Sequence, residues 1–322
     1  MQRRTFLAGS LAILAAPLGA KAQQAGRVYR IGVLLPLGVT PPILATFLAG
    51  MRDQGWVENR GFVAEPRYAE GRLERLPDLA AGLVRLNVDV LVTMGTPATL
   101  AAKHATATIP IVFGLVGDAV GAGVVPNVAR PGGNVTGMAL YGTEVFGKGL
   151  ELPKEAVPRA ERVMITQPLR HNPSQRLADA AADTVAKTLG IRLHRVNVGH
   201  VADYEAAFEL AVRERVDAVL ISPYTPLPQE TVDFALRHRL PTMTLMGSVG
   251  QVGQLIAYGA NFGEQVRRVA SYVDRILKGA KPGELPVQQA QRFELVINLK
   301  TAKAVGLTIP PSLLLRADQV IE

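Results

Sequence analysis

Apolar and polar positions fall in blocks along this chain, and two of the blocks share one order. Val88-Asp89-Val90-Leu91-Val92 is a short apolar run, followed by the loop Met94-Gly95-Thr96-Pro97, an Ala-rich helical run to Ala107, and Ile109-Pro110-Ile111-Val112. The same order returns 128 positions later: Val216-Asp217-Ala218-Val219-Leu220-Ile221, the loop Ser222-Pro223-Tyr224-Thr225-Pro226, a helical run to Arg239, and Leu240-Pro241-Thr242-Met243. Short apolar runs bounded by turn residues read as strands buried on both faces, and strand, loop, helix, strand is the parallel βαβ unit. Two copies predict two similar α/β halves. Ligands of such sheets sit at the carboxyl ends of the strands, so two facing halves place one site between them.

The remaining pattern fits around these units. Val28 to Leu35 reads as a first strand, and Ile43 to Gln54 as a helix stopped by Gly55. Val63 to Tyr68 alternates as a strand. Leu73 to Leu86 is an amphipathic helix whose Leu76, Leu79, Leu83 and Leu86 form a core stripe. The strand Val135 to Leu140 follows the turn Pro131-Gly132-Gly133-Asn134, and the first half ends at Tyr141-Gly142. In the second half, Arg162 to Thr166 and Ile191 to Val198 read as strands, and Asn172 to Leu189 and Tyr204 to Arg215 as helices. Leu255-Ile256-Ala257-Tyr258-Gly259 closes this half as Met138-Ala139-Leu140-Tyr141-Gly142 closed the first. A helix from Phe262 to Leu277, a linker from Gly279 to Pro286 and a strand from Phe293 to Asn298 are left over, which predicts a chain that crosses between halves more than twice.

Composition narrows the classes. The chain has 322 residues, enough for about two domains, with 19% charged and 5% aromatic residues. Cysteine is absent, which excludes disulfides, thiolate metal sites and cysteine nucleophiles. At the start, Arg3-Arg4-Thr5-Phe6-Leu7 and an apolar run to Leu18 precede Ala20-Lys21-Ala22, an A-x-A pattern that predicts an export signal over residues 1–22. The paired arginines resemble a twin-arginine signal, with an ordinary Sec signal as the alternative. The apolar run falls short of the roughly 20 residues a membrane span needs, so no stable insertion is expected after cleavage. Cleavage takes away three of the 35 basic residues and none of the 27 acidic ones, leaving a charge near +5. These cations are scattered rather than striped, which reads as solvated surface and not as a nucleic-acid footprint.

Specific runs carry a resemblance. Asn134-Val135-Thr136-Gly137, the stretch Phe293-Glu294-Leu295-Val296-Ile297-Asn298-Leu299-Lys300-Thr301-Ala302-Lys303 and the ending Ala317-Asp318-Gln319-Val320-Ile321 resemble the ABC-transporter substrate-binding family described as an uncharacterised periplasmic component. Arg275-Ile276-Leu277-Lys278-Gly279 and Tyr68-Ala69-Glu70-Gly71 match as well. The resemblance spans essentially the whole chain. It implies a type I periplasmic-binding-protein fold of two Rossmann-like lobes with three crossing segments, dividing the chain into 27–142 plus 259–284 and 143–258 plus 285–322. It further implies a monomer in the periplasm that delivers a small solute, amino acid-like first and small organic acid second, to a membrane permease driven by an ATPase. The chain departs from the family at Gln167-Pro168-Leu169-Arg170-His171-Asn172-Pro173 and at Thr242-Met243-Thr244-Leu245-Met246-Gly247-Ser248, where two methionines favour a soft apolar pocket.

Candidate ligand residues lie on loops at strand ends. The Thr96 hydroxyl and the amides after Pro97, at Ala98 and Thr99, suit a carboxylate, and a plain helix cap at Thr96 is the alternative. Gly117-Asp118 follows the strand ending at Phe113; Asp118 either pairs with a ligand ammonium or caps the next turn. In the second half Asn172 and Ser174 follow Thr166, and Tyr224 and Thr225 follow Ile221. Tyr258, at a crossing, either stacks on an apolar ligand or packs the hinge. A two-lobed periplasmic enzyme acting on a small organic acid is the alternative function. It lacks support in the residues: Leu35-Pro36-Leu37-Gly38 stands where a G-x-G-x-x-G fingerprint belongs, and no Gly-x-Ser-x-Gly elbow or P-loop is present. His104, His171, His194, His200 and His238 show no metal-ligand spacing, so neither metal nor cofactor is expected. A sensor of a transcriptional regulator would need N-terminal DNA-binding helices that this pattern does not contain.

Overall fold

Strands buried on both faces have to be covered by helices on both sides, and the chain achieves this twice. A computed structural model describes residues 27–37, 43–140, 144–168, 173–223, 225, 229–246 and 253–322, the side chains of residues 144, 146 and 230 apart. The expected export signal, the Tyr141-Gly142 boundary, Asn172 and Tyr224 lie outside the described residues.

The first lobe contains β1 (Tyr29–Leu35), α1 (Ile43–Asp53), β2 (Phe62–Tyr68), α2 (Leu76–Arg85), β3 (Val90–Met94), α3 (Thr96–Ala105), β4 (Ile111–Val116) and β5 (Val135–Ala139). The second contains α4 (Glu144–Ala156), β6 (Arg162–Gln167), α5 (Pro173–Leu189), β7 (Arg192–Asn197), α6 (Asp203–Arg213), β8 (Ala218–Ile221), α7 (Gln229–Arg237), β9 (Thr242–Thr244) and β10 (Ile256–Ala260). The strands run in the order β2-β1-β3-β4-β5 in one sheet and β7-β6-β8-β9-β10 in the other. Each is a doubly wound parallel sheet whose order reverses between its first and third strands, the switch point where such sheets bind ligands. The 128-residue repeat is thus a repeat of topology.

The rest of the chain crosses back and forth. α8 (Phe262–Leu277) packs on α1 and β4 of the first lobe, and β11 (Gln288–Gln289) pairs with β5. β12 (Phe293–Asn298) returns to the second sheet, antiparallel to β10, followed by α9 (Leu299–Val305), α10 (Pro311–Leu314) and β13 (Gln319–Ile321), which pairs with β12. The crossings therefore lie between β5 and α4, between β10 and α8, and between β11 and β12. Two boundaries differ from the sequence-based ones: β10 stays in the second sheet to Ala260, past residue 259, and β11 carries the first lobe past residue 284. A two-residue strand leaves no periodicity to read. Helix α4 was not expected either, because Gly147, Gly149 and Pro153 mask its pattern.

Period-2 alternation sorts the cores. In β1, Ile31 and Val33 face Phe47 and Met51 of α1 and Val266 and Val269 of α8, while Leu34 faces Leu83 of α2 and Ala98 of α3. In the second sheet, Met164, Val219 and Ile221 pack on Tyr204, Phe208 and Ala235 of α6 and α7; Val163, Ile165 and Leu220 pack toward Leu150 and Ala178 of α4 and α5. Each fully buried large side chain contributes about 1.5–3 kcal/mol. The crossings are stitched together: Asn261 caps α8 by accepting from the Glu264 amide at 3.0 Å and donates to Glu294 of β12 at 3.3 Å, and Tyr258 of β10 stacks on Phe293 at 5.9 Å.

Gly137 has a φ of 151° in β5, and a Cβ there would overlap the Phe113 carbonyl of β4. Gly137→Ala is expected to cost about 3 kcal/mol or more by urea denaturation, since strain and overlap act together. Gly123→Ala, at φ 74° with open space around it, serves as the comparison and costs only about 1–2 kcal/mol.

Candidate functional site

The carboxyl edges of the two sheets face each other, and their loops line one cavity of about 160 Å³. From the first lobe come Pro36 and Leu37 after β1, Leu73 ahead of α2, and Met94 through Pro97 where β3 turns into α3. Pro168 after β6, Pro223 and Thr225 after β8, and Leu245 and Met246 after β9 form the opposite wall. Leu140, Ala260 and Phe262 close it at two of the crossings. Among the described lining residues, Thr96 and Thr225 alone have polar side chains.

Threonines hold both switch-point loops. In the first lobe Thr93 of β3 meets the Thr99 hydroxyl at 2.9 Å, and Thr99 donates to the Gly95 carbonyl at 2.8 Å. Gly95 has a φ of 80°, which a glycine adopts without strain, and it turns the chain directly into α3. In the second lobe Thr225 donates to the Ser222 carbonyl at 2.9 Å and meets the Thr166 hydroxyl at 2.9 Å, while the Ser222 amide donates to Thr166 at 3.0 Å. Tyr204 donates to Thr225 at 3.2 Å from beneath, and burial pushes its phenol up to about 12. The amino end of α5 is fixed by two buried amides: Gln167 and Gln175 both donate to Asp179, at 2.6 and 2.8 Å.

The two walls touch through hydroxyls. Thr96, in the first turn of α3, lies 2.8 Å from the Ser174 hydroxyl in the first turn of α5, and both side chains are buried. Thr96 is therefore not capping its own helix. The N–H groups of a helix's first turn have no partner from a preceding turn, and the amino ends of α3 and α5 meet at this contact. A close approach nearby extends the contact between lobes: a Cβ on Gly121 would lie 2.6 Å from Leu177 of α5.

One wall residue is aimed by a backbone irregularity. The β4–β5 register shifts between Phe113 and Val116, and Leu115 within that bulge takes a φ of 59°. A left-handed leucine costs about 1–2 kcal/mol, and here the bulge turns that side chain into the cavity. The continuous apolar run of β4 contained no sign of it.

The candidates named from sequence divide accordingly. Thr96, Pro97 and Thr225 line the cavity, and Ser174 reaches it through Thr96. The Ala98 side chain is packed in the core under α3. Gly117 is buried outside the lining, and Asp118 accepts from the Val120 and Gly121 amides on Oδ1 at 3.1 and 2.8 Å, as in the capping alternative. Tyr258 packs on Phe293 away from the lining, which is the hinge alternative. Of the two methionines, Met246 lines the cavity and Met243 is buried in the sheet. The apolar wall residues Leu37, Leu73, Met94, Leu140 and Phe262 were not singled out, because an apolar strand end reads as core until a second lobe stands opposite it.

Removing the hydroxyl contact tests its contribution. A double-mutant cycle of Thr96→Val and Ser174→Ala should give a coupling energy of about 1 kcal/mol in thermal or urea unfolding. The Tyr204 phenol adds a pH signature. Its folded-state value is raised, so its contribution is complete below pH 10 and is lost as pH rises through about 12. Tyr204→Phe should flatten that alkaline loss by about 2 kcal/mol relative to the parent.

Known proteins share this architecture. A structure of a conserved domain protein from Vibrio cholerae matches with a TM-score of 0.81 and 27% identity over 91% of this chain and all of that one. An ABC domain from Streptococcus pneumonia, in complex with L-Trp, matches with a TM-score of 0.80 and 23% identity over 92% of this chain and all of that one. A tyrosine-binding protein of Clostridioides difficile is 23% identical over 267 residues, 81% of this chain and 75% of that protein. Among the described residues no helix is long and apolar enough to cross a membrane. The family model for ABC transporter substrate binding proteins matches residues 43–321, and the chain belongs to that family.

Proposed function

We propose that this chain is the solute receptor of an ABC importer, acting as a monomer outside the cytoplasm and handing its solute to a membrane permease powered by an ATPase. The signal at residues 1–22 carries it out, its Arg3-Arg4 pair favouring the twin-arginine route. One observation carries this reading: a single cavity is lined from both lobes and spanned by the Thr96–Ser174 contact. A solute there touches both walls only when the lobes are together, so it binds the closed form better and shifts the population toward it. The names of the Clostridioides difficile and Streptococcus pneumonia relatives put an amino acid-like solute first, and a cavity of this size suits it.

Closure and binding are measurable together. A thermal-shift screen of amino acids and organic acids should find a solute that, at about a hundred times its Kd, stabilises the protein by about 2.7 kcal/mol. Small-angle scattering with that solute should show a smaller radius of gyration than without it. The solute should be recovered unaltered by mass spectrometry; a stabilising solute that leaves the radius unchanged, or is turned over, counts against the receptor reading.

A further inference from the structure

We propose that Gly121, which lies outside the cavity lining, is a positioning residue for closure: its missing side chain lets α5 of the second lobe seat against the first lobe, and so sets how far the cleft shuts. This rests on the receptor reading, since it concerns the closing of the same cleft.

Two contacts between the lobes fall on one face of α5. Ser174 and Leu177 are three residues apart in that helix, so they lie on the same side of it. Ser174 meets the Thr96 hydroxyl, at the start of α3, at 2.8 Å. Leu177 stands over Gly121, in the turn after β4: a Cβ on that glycine would lie 2.6 Å from the leucine Cδ1. β3 and β4 are neighbours in the first sheet, and each leads into one of these two points. One helix face therefore closes on the ends of both strands.

The backbone of Gly121 does not call for a glycine. Its φ lies outside the left-handed region that Gly123, Gly132 and Gly133 occupy, and the residue is exposed. What a side chain there would meet is Leu177 across the seam and, at 2.5 Å, Asp118 Oδ2 within its own turn. A single methyl can be absorbed by a change of rotamer at Leu177. A β-branched residue carries two heavy atoms on its Cβ and cannot turn both aside. Gly121→Ile therefore props the seam open, and the hydroxyl contact one helical turn away parts with it. Only the closed form brings both walls to a solute, so its apparent affinity falls in proportion to the closed fraction, with every wall residue unchanged.

Disulfide trapping tests this without a solute. The chain has no cysteine, so Thr96→Cys with Ser174→Cys introduces a single pair across the cleft. Hydroxyls 2.8 Å apart put their Cβ atoms within reach of a disulfide when the lobes meet. Oxidised with copper phenanthroline, the purified protein carrying this pair should form the internal crosslink, read as faster migration in a non-reducing gel. Adding Gly121→Ile should slow crosslinking about tenfold or more, with unchanged circular dichroism. Adding Leu177→Ala to that protein should restore the rate to within about twofold. The rescue separates a wedge at the seam from a disturbance of Asp118, which Leu177→Ala does not touch. A pair that stays reduced in the otherwise unaltered chain overturns the proposal. So does a rate that Gly121→Ile leaves alone, or a slowed rate that Leu177→Ala fails to restore. In each of those cases a solute that compacts the unaltered chain keeps the receptor reading; if nothing from a broad solute library compacts it, that reading fails separately.

Discussion

A parallel sheet covered by helices has a polarity that cannot be evenly distributed: every strand ends, and every crossover helix begins, along the same edge. In this protein two such edges are opposed, and the rest of the architecture follows from keeping them so. After β3 a single residue, Gly95, separates the strand from its helix. The cavity described above lies along this seam and is lined from both lobes.

Holding two edges in register requires order on both sides of the gap, and the two lobes use similar chemistry. Thr93 with Thr99 and Thr166 with Thr225 tie a switch-point loop to the sheet beneath it. These are buried hydroxyls satisfied by one another and by backbone carbonyls, so they rigidify without introducing charge. Among the described lining residues none carries an ionised side chain. The crossings contribute in a different manner. The Asn261–Glu294 hydrogen bond and the Tyr258–Phe293 stack link neighbouring crossing segments laterally.

The division into halves was legible because parallel strands announce themselves as unbroken apolar runs, and the run at Val88 recurs at Val216. Thr96, Pro97 and Thr225 could be placed at the cleft for the same reason, since loop position follows once the strand ends are known. Three kinds of feature stayed hidden. Helix α4 looks broken because its glycines answer to neighbours and not to its own propensity; a Cβ on Gly147 would lie 3.1 Å from Val185 of α5. The bulge at Leu115 leaves no trace in a strand that is apolar at every position. Asp118 satisfies two sequence readings equally, and the coordinates show its Oδ1 accepting from the Val120 and Gly121 amides.

Gly149 extends this reasoning beyond the cleft. It belongs to α4, the first element after the chain leaves the first lobe, and it makes no wall itself. A side chain there would collide with Leu245, which does line the cavity. The depth of the chamber on that side is therefore set one layer out, by how near a helix can approach. Divergence in what such receptors carry can then arise from residues that never meet the cargo, with every wall residue retained.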